Sequence, residues 1–253
     1  MTGAAVLASR GAIRSGAGLV TLGVPKSLEP RVAKNLLEVM QLGLPETKDG
    51  TLSLEAYDKV REFIKKRRVS CLALGPGLSR QKETVRLVRK LVAQVEIPIV
   101  LDADGLNAFE GQKAGLKKHC GPLVLTPHAG EFERLFGRKL PQAPVARGAL
   151  AKKLSKFYDV VLVLKGAPTL VVSGQKAVSN PTGNPGLAKG GAGDVLTGVI
   201  SAFIAQGLKP FDAAAWGVYF HGLAADLAVK DKTQIGLLAG DVIEFLPKAF
   251  LLE

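Results

Sequence analysis

The 253-residue chain predicts one α/β domain built on a mainly parallel sheet with helices on both faces. Three observations carry that expectation. Short apolar, β-branched runs alternate with stretches of helical period, the runs are bounded by Gly, Pro or Asp, and ligand-handling residues recur just past their ends.

The runs at 18–24 (GLVTLGV), 69–74 (VSCLAL), 97–101 (IPIVL), 123–126 (LVLT) and 160–164 (VVLVL) read as buried strands. Between them, 54–68 and 84–95 read as amphipathic helices. Segments 170–172 and 176–179, joined through Gly174, read as an antiparallel hairpin. Beyond Asp194 the chain reads as helical at 195–206, 211–229 and 241–250. Nothing resembles a linker, a repeat or a low-complexity tract, so 1–253 reads as a single domain.

Composition narrows the function classes. Hydrophobic residues make up 47% and charged residues 22%, as in a folded globular protein. No apolar run is long enough to span a bilayer, and the start lacks the pattern of a signal peptide. Cys71 and Cys120 have no motif spacing, which suits a reducing cytoplasm. The net charge of +12 favours acidic partners. The basic residues are dispersed, as Arg61, Lys65, Lys66, Arg67 and Arg68 are along one helix, and there are only three tyrosines and one tryptophan. With so few stacking platforms, a phosphate-rich small molecule fits better than nucleic acid.

In open parallel sheets ligands bind at the carboxyl ends of the strands. Gly75-Pro76-Gly77 follows one strand and Asp102 with Asp104 the next. Thr126-Pro127-His128-Ala129-Gly130-Glu131 follows a third, and Lys165-Gly166-Ala167-Pro168-Thr169 a fourth. Each has a plain structural reading: a Gly-Pro turn, an Asp104 cap on the helix holding Leu106 and Phe109, a capping arrangement of His128 with Glu131, and a hairpin lysine. Four such ends in one chain argue for a site.

The segment 186–198 (GLAKGGAGDVLTG) adds the strongest signal. Glycines let backbone N–H groups approach an anion, and a helix start behind them adds partial positive charge. An aspartate there, Asp194, makes chemical sense where it must reach a hydroxyl beside a phosphoryl group. Its plain reading is a helix N-cap. The turn-rich 180–186 (NPTGNPG) reads as a lid or nucleotide-side loop. His119, His128 and His221 lack metal-ligand spacing, and His221, inside a helical run, reads as structural.

Gly191-Ala192-Gly193-Asp194 with Thr126-Pro127-x-x-x-Glu131 resembles the paired signatures of the ribokinase-like superfamily. His128 stands where most members carry asparagine, and that combination resembles the ADP- or ATP-dependent NAD(P)H-hydrate dehydratases. The match continues through 15–20 (SGAGLV), 75–78 (GPGL), 102–107 (DADGLN), 165–169 (KGAPT), 180–186 (NPTGNPG) and 219–224 (YFHGLA), nearly the whole chain.

The resemblance implies a three-layer α/β/α sandwich of the ribokinase-like type. Relatives place a further strand and a glycine loop before a segment like 2–8 (TGAAVLA), so either the start is truncated or the fold does without its first strand. No N-terminal epimerase domain is expected. The implied reaction is phosphorylation by ADP of the C6 hydroxyl of hydrated NADH or NADPH, then elimination of phosphate to regenerate the cofactor, leaving AMP. By resemblance Asp194 is the general base, and Gly191, Ala192 and Gly193 form an anion hole. Ala4, Gly77, His128 and Asp194 face the hydrated dinucleotide. Lys165, Gly166, Ala167, Pro168, Thr169 and Gly193 face the adenine nucleotide. Glu131 is expected to hold Mg2+ through water, and the implied assembly is a cytoplasmic homotetramer. Two alternatives stand beside this: a small-molecule hydroxymethyl or hydroxyethyl kinase of the same superfamily, and a non-catalytic nucleotide-binding protein.

Overall fold

The computed structural model describes residues 1–252. In chain order it contains α1 (Thr2–Arg14), β1 (Thr21–Pro25), α2 (Glu29–Ala33), β2 (Met40–Leu44), α3 (Ala56–Arg67), β3 (Leu72–Leu74), α4 (Lys82–Gln94), β4 (Ile99–Leu101) and α5 (Ala103–Asn107). There follow β5 (Leu123–Leu125), α6 (Ala129–Phe136), α7 (Pro144–Tyr158), β6 (Val161–Leu164), β7 (Leu170–Ser173), β8 (Lys176–Ser179), α8 (Ala192–Ala205), α9 (Pro210–Gly236) and α10 (Ala239–Phe250).

The main sheet has six strands in sequential order, β3-β4-β5-β6-β7-β8. Pairing is parallel from β3 to β6 and antiparallel in the β6-β7-β8 hairpins. Alternate side chains serve opposite layers. Ile99, Leu101, Leu123, Leu125, Leu162 and Leu164 pack with Leu87, Leu91, Phe132 and Leu135 from α4 and α6. Val100, Val124, Val161, Val163 and Val171 pack with Val195, Val199 and Ile200 of α8 and with Val242, Ile243 and Leu246 of α10. Both faces are covered, which is why these strands read as unbroken apolar runs. The result is the expected three-layer α/β/α sandwich.

The 18–24 run is the exception. Its strand, β1, pairs only with β2 in a separate two-stranded parallel sheet, and only Val24 within it is buried. Gly23 and Pro25 leave too little apolar side chain for a strand covered on both faces. The sequence reading also passes over β2, whose MQLGL is short and glycine-broken, and over α1 and α7.

Helix α1 is rich in small residues and buries Ala8, Ser9, Gly11 and Ala12. It crosses α8 at backbone contact: a Cβ on Gly11 would lie 2.7 Å from the Val195 carbonyl oxygen, and one on Gly198 2.0 Å from that of Ala8. Gly148, inside α7, has open space around the same position. Gly198→Ala should therefore destabilise the fold by about 2–3 kcal/mol through overpacking against backbone. Gly148→Ala should stabilise it by about 0.5–1 kcal/mol through helix propensity alone. Urea denaturation of both variants checks the pair, and equal stabilities would contradict the packing described.

Candidate functional site

The carboxyl ends of β3 to β6 meet at one place. Gly75, at φ 137°, lets the end of β3 close on that of β4, since a Cβ there would lie 1.8 Å from the Asp102 carbonyl oxygen. Asp102, after β4, is buried at 1% exposure. Its Oδ1 accepts a 2.8 Å hydrogen bond from Lys165 Nζ, after β6, and its Oδ2 one of 2.8 Å from Thr197 Oγ1 of α8. Glu131 Oε2 stands 3.5 Å from the same ammonium. Burial works against the charge on Lys165, but the carboxylates of Asp102 and Glu131 outweigh it and hold the pKa above the ordinary lysine value. Lys165 is therefore a fixed cation at neutral pH.

Helix α8 points its N-terminus at this cation. Gly191 is its N-cap at φ 94°, with no side-chain cap, and the first intrahelical bond is Val195 N–H to Gly191 O at 3.1 Å. The N–H groups of Ala192, Gly193 and Asp194 precede that bond and carry the helix's partial positive charge. A Cβ on Gly193 would sit 3.2 Å from Lys165 Nζ. Only glycine leaves room there for an anion to touch backbone and ammonium together.

Asp194 is the third residue of α8, because the helix begins at Ala192 rather than behind the aspartate. The N-cap alternative is thus excluded: that place is Gly191's. Burial, then the charge of Asp102, pushes the Asp194 carboxyl up to about 6, with Lys165 opposing and Glu131 and Asp104 adding. His221 is buried, and its Nε2 lies 3.0 Å from the Ala192 carbonyl oxygen. Burial lowers its pKa to about 4, so it is neutral and donates to that carbonyl, fixing the start of α8 in the expected structural role.

At α6 the geometry realises a capping box. His128 Nδ1 accepts from Gly130 N–H at 3.0 Å and Glu131 N–H at 3.3 Å, while Glu131 Oε2 accepts from His128 N–H at 2.9 Å. The imidazole is still 53% exposed beside the site. The start of α1 meets the turn at Gly77, where the Met1 amino group donates to Gly77 O at 2.7 Å, and Leu7 of α1 abuts Gly191; Ala4 lies on α1 between these two contacts in the chain. Thr169 Oγ1 donates to Gly166 O at 2.9 Å and closes the turn after Lys165, leaving Gly166, Ala167 and Pro168 exposed.

Two expectations need correction. Asp104 does not cap α5; Asp102 holds the N-cap position, and Asp104 instead accepts from Ser79 N–H at 2.8 Å, fixing the 75–80 turn. Nor is 180–186 a free lid. Thr182 Oγ1 donates to Tyr219 O at 2.8 Å, and Gly183 N–H and Asn184 Nδ2 donate to Asp226 at 2.7 and 2.8 Å, so the loop is pinned to α9. The sequence reading missed Thr197, which its i+3 spacing from Asp194 signals, and Arg147, which nothing in the sequence signals.

Among the described residues no group of three or more His, Cys, Asp or Glu could cage a metal. The donor set does fit a magnesium ion that keeps its waters and leans on phosphates. Glu131 Oε1, 3.5 Å from His128 Nε2, is one carboxylate oxygen that such an ion could meet through water.

Lys165→Met should leave Asp102 as a buried, uncompensated charge and cost about 3 kcal/mol of folding free energy. The double variant with Asp102→Asn should recover most of that loss. Chemical denaturation near neutral pH checks both, and a single variant as stable as the parent would contradict the pairing.

Comparisons with known proteins identify the family. The family described as NAD(P)H-hydrate dehydratase matches residues 1–248. The bifunctional NAD(P)H-hydrate repair enzyme of Moorella thermoacetica is 46% identical over 249 residues, covering 98% of this chain and 46% of that protein. The chain thus spans about half the length of such bifunctional relatives. The ADP-dependent (S)-NAD(P)H-hydrate dehydratase of Bacillus subtilis is 33% identical over 99% of this chain and 85% of its own length. A crystal structure of the Bacillus subtilis ADP/ATP-dependent NAD(P)H-hydrate dehydratase, co-crystallised with ATP and Mg2+, superposes with a TM-score of 0.79 at 31% identity, covering 100% of this chain and 85% of that one. The hydroxyethylthiazole kinase of Pyrococcus horikoshii, at 16% identity and a TM-score of 0.65, shares the fold. By sequence and by structure, the chain belongs to the NAD(P)H-hydrate dehydratase family.

Proposed function

We propose that the chain is an ADP-dependent (S)-NAD(P)H-hydrate dehydratase that repairs hydrated nicotinamide cofactor. One observation carries the reading: a carboxylate on the first turn of α8 shares its neighbourhood with unpaired amides and the fixed cation Lys165. Hydroxide is a poor leaving group, and this constellation suits making it a good one. Asp194 takes the proton of the C6 hydroxyl as its oxygen attacks the β-phosphorus of ADP. The amides of Ala192 and Gly193 and the Lys165 ammonium hold the transferring phosphoryl. AMP departs. Phosphate is then eliminated from C6 with loss of a proton from the neighbouring ring carbon, which restores the double bond.

In this reading Ala4, Gly77 and His128 seat the hydrated dinucleotide, and Lys165, Gly166, Ala167, Pro168, Thr169 and Gly193 the adenine nucleotide. The names and coverage of the relatives support ADP or ATP as co-substrate. Magnesium supplies charge neutralisation on the phosphates when bound, with Glu131 meeting it through water. Exposed Trp216, Ile235 and Leu238 on and after α9 offer apolar surface for a homotetramer. The free cysteines Cys71 and Cys120 support a cytoplasmic location.

Adding ADP and magnesium to protein with hydrated NADH should restore the absorbance of NADH and release AMP and phosphate. Accumulation of a stable phosphorylated product would instead favour the kinase alternative, and nucleotide binding without turnover the non-catalytic one. Loss of a positioned general base costs about 10²–10⁴-fold, so Asp194→Asn should lose at least that much turnover while ADP binding survives. In the parent, activity should fall as pH drops through about 6, where Asp194 takes up its proton. An acid limb unrelated to that value would contradict its role as base.

The same shift has a stability consequence. The folded carboxyl keeps its proton up to about pH 6, against 3.8 in the unfolded chain, so folding becomes less favourable as pH rises through that window. Asp194→Asn should melt higher than the parent near neutral pH and match it below about pH 4. Equal melting temperatures at neutral pH would contradict the electrostatic description of the site.

A further inference from the structure

Lys165 serves two places at once. Its Nζ lies 3.2 Å from the place a Cβ would take on Gly193 at the α8 N-terminus, and it lines a cavity of about 320 Å³ together with Ala129, Gly130, Lys139, Arg147 and Gly166. Arg147 enters this cavity from α7, an element that the sequence motifs leave unremarked. Its guanidinium is poorly satisfied. Nη2 donates to Leu164 O at 3.4 Å, and Nε is buried with no hydrogen-bond partner. The same Nη2 lies 3.0 Å from the place a Cβ would take on Gly166.

Among the described residues neither Arg147 nor Lys139 has a carboxylate within ion-pair distance. Glu133 is the one acid on the wall; it is exposed and makes no ion pair with either cation. A buried donor left without an acceptor is costly, so an arginine in this state marks where an acceptor is missing. The cavity combines that arginine with two lysines and the exposed turn at Gly166. Its chemistry is that of a phosphate seat, since a guanidinium fork matches phosphate oxygens and an ammonium supplies point charge.

Building on the functional reading above, we propose that Arg147 and Lys139 form a clamp for the phosphate that stays on the nucleotide. The α-phosphate of ADP sits between them and Gly166. The β-phosphoryl reaches past Lys165 to the amides of α8. Lys165 is the hinge between the two seats: it holds both phosphates while only one is transferred. The clamp thereby fixes the direction in which the leaving AMP oxygen points.

Calorimetric titration of ADP, and separately of adenosine, into parent, Arg147→Gln and Lys139→Gln proteins tests this. The clamp predicts that ADP affinity falls about tenfold or more in Arg147→Gln and severalfold in Lys139→Gln. Adenosine affinity and the KM for hydrated NADH should stay at parental values. Arg147→Lys should recover only part of the loss, because it keeps the charge without the fork. Lys139 is exposed, so its variant decides the matter should Arg147→Gln fail to fold. Equal ADP affinity in parent and variants, an equal loss for adenosine, or a loss confined to the hydrated dinucleotide would each overturn the clamp alone. A parent protein that binds no ADP would overturn the functional reading with it.

Discussion

The ion pair between Lys165 and Asp102 is the constraint on which the site depends. β4 and β6 are not neighbours in the sheet; β5 lies between them. The 2.8 Å contact therefore bridges over a strand, and Thr197 carries the bridge on into α8. Two strand ends of the sheet and one helix are tied at one carboxylate that is 1% exposed. A buried carboxylate is tolerated only with its lone pairs engaged, and here both oxygens are. The same pair modulates the electrostatics. Burial is the main cause that raises the proton affinity of Asp194; Asp102 adds to it and Lys165 opposes it, which leaves the carboxyl at about 6.

Around that pair the backbone is arranged as the proposed anion seat requires. Gly193 leaves its Cβ space to ligand, Gly191 turns the chain into the helix at φ 94°, and His221 holds the first carbonyl of α8 from below. The close α1–α8 crossing through Gly11 and Gly198 brings Leu7 against Gly191 at the start of α8. Amides fixed before the reaction need no reorganisation during it, which is the main source of electrostatic catalysis. A carboxyl held against its preference for protonation is the stability cost that such a site carries.

Much of this could be read from the residues. Strands β4, β5 and β6 are buried on both faces, so their continuous Val, Ile and Leu runs were unambiguous. The four strand-end motifs pointed to one rim because a parallel sheet puts all its carboxyl ends there. What escaped has physical reasons too. β1 and β2 belong to a small, half-covered sheet whose glycines and proline blur the pattern. Asp104 looks like a cap because caps and turn anchors use the same residue types, and only coordinates distinguish them. The loop at 180–186 has lid-like composition, yet distant positions on α9, Tyr219 and Asp226, pin it. Arg147 carries no local signal at all, since its significance comes from what α7 packs against.

The central chemical claim is that the hydroxyl beside Asp194 is first phosphorylated and only then expelled. Hydrated NADH labelled with heavy oxygen at the C6 hydroxyl tests it in one turnover. The account predicts that the label emerges in inorganic phosphate, because the carbon–oxygen bond breaks after the oxygen has joined phosphorus. Label recovered in water, with NADH formed at the same rate, would contradict it.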